Sequence, residues 1–220
     1  MLAHALAFIP LAFAALLPLV NPIGSALILL GMVGQAPAST YRQLAARIAI
    51  GMLIFVAVIE LLGSWLLKFF GISLPVVQVG GGLTLAAMGW NMLNAREAAP
   101  GAEAPPSLPD AESVMDRVFY PLTFPLTVGP GVIVVVLTLS AHASSEHWQE
   151  SVLAHGAIFV AALLLALLVY ISYAYAPKLA RLIPQHAFNG VQRLISFILL
   201  CIGVQIAWGG LDTLMRSLQH

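Results

Sequence analysis

Two clusters of helix-breaking residues carry the chemistry available to this chain. The first is Asn21-Pro22-Ile23-Gly24-Ser25 and the second is Thr127-Val128-Gly129-Pro130-Gly131. Each interrupts a long apolar run. Proline removes a backbone donor and clashes with the preceding turn, and glycine lets the backbone approach a ligand. Asn21 precedes a proline and is biased away from the helical region, while Ser25 is placed to cap the helix that resumes. An interrupted helix presents N–H groups and partial positive charge at one end, which suits a carboxylate. The other end presents carbonyls, which suit an ammonium group or a cation. Two facing breaks could hold both ends of a zwitterion without a buried charged side chain. The same residues also fit two kinked helices with no ligand, because Gly and Pro are frequent in membrane helices.

Other polar residues in apolar surroundings are few. Asn91 and Gln205 either line a cavity between the breaks or hydrogen-bond between helices, for about 1 kcal/mol or less each. Glu60 is the only carboxylate well inside an apolar run. At 1.5 Å per residue it lies about 20 Å along a helix from Arg47. Ionisable groups at that depth are functional candidates, so Glu60 is read either as a proton-coupling or gating group or as a neutral one near the headgroups. His142, His147 and His155, with Glu146 and Glu150, match no tight metal-ligand spacing and read as a solvated loop and its margin. No metal or cofactor is expected. Phosphate-loop, nucleophile-elbow and zinc-protease motifs are missing, so no enzymatic activity is expected. One cysteine, Cys201, excludes an internal disulfide, and a formal net charge of +0 gives no reason to expect a nucleic-acid partner.

Composition says what must position these residues. Apolar residues make up 60% and charged residues 8%, against about 25% charged in soluble domains. Mean hydropathy is +0.97. The chain therefore reads as an all-α membrane protein. A span needs about 20 apolar residues, and six stretches qualify: Leu6–Val33, Leu44–Phe70, Leu74–Leu93, Val118–Ser140, Val152–Ala176 and Val191–Leu214. The start of the chain has no basic residue before its apolar stretch, so it reads as the first span and not as a signal peptide. A connector at 95–115, rich in Ala, Pro and Glu, is expected to be disordered. It separates a first three-helix unit, 1–94, from a second, 116–220, within one membrane domain.

Seven of the nine Lys and Arg residues fall in loops after the first, third and fifth stretches. Those loops and the connector are expected in the cytoplasm, with both termini outside. Trp65, Trp90, Trp148 and Trp208 fall near span ends, as an aromatic belt would place them, and Tyr170, Tyr173 and Tyr175 are read the same way. The halves also echo one another. Pro22 and Pro130, Lys68 and Lys178, and Gly89-x-Asn91 and Gly203-x-Gln205 recur at a slowly growing offset. Three spans is an odd number, so the second unit must enter the membrane upside down. This is the inverted-repeat plan of several secondary transporters, in which broken helices mark the binding site.

Asn21-Pro22-Ile23-Gly24, Phe70-Gly71-Ile72-Ser73-Leu74-Pro75, Gly80-Gly81-Gly82 and the run Pro121 to Gly131 resemble the MarC family of bacterial inner-membrane proteins. The likeness covers nearly the whole chain apart from the connector. It implies six spans in the cytoplasmic membrane. Some members, of the SnatA type, are described as transporters of small neutral amino acids such as glycine and alanine, and most have no settled activity. Carried over by position, the family's motif residues here are Asn21, Pro22, Gly24, Pro125, Gly129, Pro130 and Gly131. The chain departs from the family pattern at Val77-Gln78, where a basic residue usually follows the Ser-Leu-Pro element.

The expectation is a secondary transporter of a small neutral, zwitterionic solute, working by alternating access. Substrate would sit between Asn21–Ser25 and Thr127–Gly131, near Asn91 and Gln205, with Glu60 coupling a proton. A channel or facilitator and a non-transporting scaffold remain the alternatives.

Overall fold

The computed structural model describes residues 2–94, 115–143 and 148–218, so most of the 95–115 connector lies outside the described residues, as do Glu146 and His147. Among the described residues all regular structure is helical. Helix α1, Leu2–Val20, carries Pro10 and Pro18 and stops at Asn21, whose φ of 43° and ψ of 63° are left-handed. Asparagine tolerates that conformation better than most residues. Pro22 then opens α2, Pro22–Val33, at a first-turn position that needs no N–H. Helix α3 follows at Ala38–Phe69 and α4 at Leu74–Asn94, joined by a turn in which Gly71 has φ 68°.

After the connector the chain forms a wide-turn π-helical segment, Val118–Thr127. Tyr120 and Phe124, each before a proline, are extended there, as the clash with the proline ring favours. Helix α5, Pro130–Ala143, leaves that segment at 65°. Helices α6, Trp148–Ala174, α7, Ala176–Leu182, and α8, Gln185–Ser217, complete the chain.

Six spans were expected. By length and composition four helical stretches can cross a membrane: Phe8–Val33, which joins α1 and α2, then α3, α6 and α8. The bent pair, Val118–Thr127 with α5, makes a fifth. The sixth expected span, α4, is long enough, but Gln78, Gly80-Gly81-Gly82, Asn91 and Asn94 make it too polar to be counted on composition alone.

Helix α4 packs along α8, its main neighbour. A Cβ on Gly82 would strike the backbone of Ala207 and Gly203, and one on Gly203 would strike Ala86 and Gly82. Gly89 sits against Ser196 and Leu200, and Gly210 against Pro75 and Val79. The two helices therefore run antiparallel, and each contact has its mirror: Gly82, Ala86 and Gly89 answer Gly203, Ala207 and Gly210. Gly89 and Gly203, the glycines of the Gly-x-amide echo, both lie on this contact face. Small residues let membrane helices approach to backbone contact, and that requirement sets the register.

The core lies where α1, α2, α3 and α6 meet, around Leu16, Val20, Leu29, Ile48, Met52, Leu165 and Val169. Leu61, Leu163, Leu167 and Leu194 face outward, as lipid-facing residues would. Trp65, Trp90, Trp148 and Trp208 are all exposed, which fits the belt reading. Tyr173 does not fit it, since its side chain is 0% exposed in the core.

Candidate functional site

Each break leaves backbone carbonyls without their helical donors, and each answers with a hydroxyl five residues downstream. Ser25 donates to the Val20 carbonyl at 3.0 Å, and Thr127 donates to the Leu122 carbonyl at 2.7 Å. Thr123 does the same for Val118 at 2.8 Å. Unpaired backbone groups are costly where water is scarce, so these side chains are what allow the breaks to exist at depth.

The breaks meet through Tyr173 of α6. Its hydroxyl lies 2.8 Å from Thr127 Oγ1 and also interacts with Ser25. Because Thr127 has given its proton to Leu122, Tyr173 donates to Thr127. Ser25 is 5% exposed and Thr127 and Tyr173 are 0% exposed. Three neutral hydroxyls from α2, the bent segment and α6 thus occupy one buried point.

Asn21 stands beside this cluster. Its Oδ1 accepts from the Gly24 amide at 3.2 Å, and its Nδ2 donates to Gln192 Oε1 on α8 at 2.9 Å. The cap of α2 is therefore Asn21, not Ser25, which lies too far into the first turn and bonds backwards. A Cβ at Gly24 would collide with the Asn21 side chain, and one at Gly131 with Leu85 and Leu19. Both glycines are buried, as is Pro22, whereas Pro130 is exposed and Gly129 is half-buried.

The remaining candidates lie elsewhere. Asn91 and Gln205 are exposed on α4 and α8 and make no contact with the hydroxyl cluster. Glu60 pairs with His155 of α6, whose Nδ1 is 2.8 Å from Glu60 Oε1. Among the described residues no group of three or more His, Cys, Asp or Glu could hold a metal. A cavity of about 680 Å³ opens where α2 ends, lined by Leu30, Gly34, Tyr41, Pro177, Ala180 and Arg181. Leu30 is about 8 Å along the α2 axis from Ser25.

Sequence reasoning missed Tyr173, Gln192 and His155 as site residues. For Tyr173 a signal existed: Ala154, Ala157, Ala161, Leu165, Val169, Ser172 and Tyr173 recur at three- and four-residue spacing and form the buried face of α6.

Residues 6–215 match the family described as MarC family integral membrane protein. The chain is 27% identical over 216 residues to the inner membrane protein MarC of Escherichia coli strain K12, covering 95% of this chain and 96% of that one. The inner membrane protein MarC of Shigella flexneri is equally similar, at 27% over the same shares. No solved structure matches the chain. Over nearly its whole length, then, this chain belongs to the MarC family of integral membrane proteins.

Proposed function

We propose that the protein is a secondary transporter of small, neutral, zwitterionic solutes of the glycine and alanine class, acting in the bacterial inner membrane by alternating access. The observation that carries this reading is the buried meeting of Ser25, Thr127 and Tyr173. Hydroxyls can donate or accept without charge, which suits a ligand whose own charges cancel. Beside them, Asn21 and the first turns of α2 and α5, at Gly24 and Gly131, present helix N-termini that suit a carboxylate.

The mirrored contacts of α4 and α8 support two inverted three-helix units, with α4 as the sixth span, sheltered by α8 from full exposure to lipid. Two related units packed antiparallel can rock about their shared crossing. The cavity beside Gly34 and Arg181 would then be a vestibule on the cytoplasmic side, with both termini outside. Glu60 is the coupling residue in this scheme. The buried cluster fits an occluded resting state, closed to both faces.

The test is uptake by purified protein in liposomes, using labelled glycine and alanine with and without a proton gradient. Saturable, gradient-responsive uptake is expected, with accelerated exchange in counterflow. Gly24→Val and Gly131→Val should abolish uptake while inserting normally. Wild-type uptake in both variants would overturn the placement of the site, and solute flow without counterflow acceleration would make the protein a channel.

A further inference from the structure

Away from the hydroxyl cluster, one ionisable pair crosses between the two three-helix units. Glu60 belongs to α3 of the first and His155 to α6 of the second, and they are joined at 2.8 Å. The Glu60 side chain is 8% exposed and that of His155 is 31% exposed. Glu60 Oε2 is buried with no hydrogen-bond partner among the described residues. His155 is the titratable side chain in contact with Glu60. Other titratable groups on the packed elements are engaged or distant in sequence. His142 at the end of α5 is bonded to the Thr138 carbonyl, Lys68 lies two turns further along α3, and Glu150 lies in the first turn of α6. From α5, Leu137 packs on Gly63, one turn beyond Glu60.

An ionised carboxylate with one bare oxygen is costly in an apolar setting, and a proton on the carboxyl removes that charge. The partner has the complementary placement, since part of the His155 side chain stays at the protein surface while Nδ1 meets the carboxyl. Imidazole takes a proton on one nitrogen and gives one from the other.

We propose that Glu60 and His155 form one proton-binding site shared by the two units, in which His155 delivers the proton and Glu60 holds it. The step balances within the pair. A proton from water binds Nε2, the Nδ1 proton passes to Glu60 Oε1, and the ring is left neutral in its other tautomer. Before the step, Nδ1–H donates to the carboxylate. After it, the carboxyl O–H donates to the bare Nδ1. The same 2.8 Å contact serves both states. On the orientation expected from the basic loops, the proton comes from outside the cell. Movement of α3 against α6 would part the pair and release it. The inference rests on the transporter reading for its purpose, but the site can be tested without transport.

Infrared difference spectra of the purified protein between acid and alkaline buffers test the site directly. One component of the protonated-carboxyl band is expected to be lost in Glu60→Gln, the other eight Asp and Glu side chains of the nine supplying the rest. In His155→Gln that component should remain, at a shifted pH midpoint. An unchanged band in Glu60→Gln, or an unmoved midpoint in His155→Gln, would overturn the site. In liposomes, Glu60→Gln should keep counterflow and lose gradient-driven accumulation. His155→Gln should slow accumulation at neutral external pH about tenfold and recover at acid pH. Unaltered accumulation in both variants would overturn the coupling role. Glutamine keeps the shape and a hydrogen bond in each case, and unfolding curves of both variants check the fold. If wild-type protein moves no solute, the transporter reading falls while the spectra still decide the pair.

Discussion

Asn21 Nδ2 donates to Gln192 Oε1 across 2.9 Å, joining residues 171 positions apart. The same amide caps α2 through the Gly24 N–H. One side chain at the first break thus fixes the start of α2 and the position of α8 against it.

Replacing Asn21 should expose both roles. Asn21→Ala loses the cap, worth about 1 kcal/mol, and also places alanine at φ 43°. Asn21→Gly loses the same bonds but is at ease with that backbone. Unfolding in detergent should therefore show the alanine variant as the less stable of the two. The opposite order would mean that the left-handed residue is not a constraint on the fold.

Thr127→Val should cost more than Tyr173→Phe. The valine strips the Leu122 carbonyl of its donor, at about 1–3 kcal/mol for an orphaned group, and leaves the buried Tyr173 hydroxyl with Ser25 alone. The phenylalanine removes one buried hydroxyl and leaves Thr127 bonded to Leu122, for about 1 kcal/mol. Thr127→Ser should restore most of the loss. Equilibrium unfolding of the three variants checks the order.

The α4–α8 crossing makes a prediction about pairs. Gly82→Leu and Gly203→Leu should each destabilise the protein by about 1–3 kcal/mol or more through overpacking. Because both side chains enter the same crossing, the double variant should cost less than the two single variants added together. Strict additivity in thermal unfolding would separate the two glycines.

Orientation can be read by labelling. In a Cys201→Ser background, Gln35→Cys and Ser73→Cys place single thiols on exposed turns at opposite ends of α3. A membrane-impermeant maleimide applied to intact cells stripped of their outer membrane should label Ser73→Cys and spare Gln35→Cys. The reverse pattern would turn the protein over in the membrane.

The two breaks were legible because Pro, Gly and Asn have local backbone consequences that no packing can hide. All six stretches read as spans are helical, as one or two helices each, with ends moved by a few residues, and four to five of them are apolar enough to be counted as spans on composition. What the sequence hid was facing. In a membrane helix the lipid side and the packed side are both apolar, so the usual contrast between them is faint. Tyr173 therefore passed for a belt residue although it is buried, and His155 was grouped with a loop although it is paired inside α6. Asn91 and Gln205 drew notice as amides in apolar runs, yet they sit on exposed faces. The spacing of Gly82 and Gly89 and of Gly203 and Gly210 carried the contact face of α4 and α8, where each glycine meets the other helix's backbone.

Each break carries its own donor, since Ser25 serves Val20 and Thr127 serves Leu122 within a single turn. Neither needs the other half of the chain to quiet its loose carbonyl. The first interrupted helix can therefore leave the ribosome, pass sideways from the insertion channel and rest in lipid before residue 127 has been synthesised. Tyr173, made later still, has only to join two breaks that are already at peace with the bilayer. Assembly of the buried cluster is thereby separated from insertion of the first break.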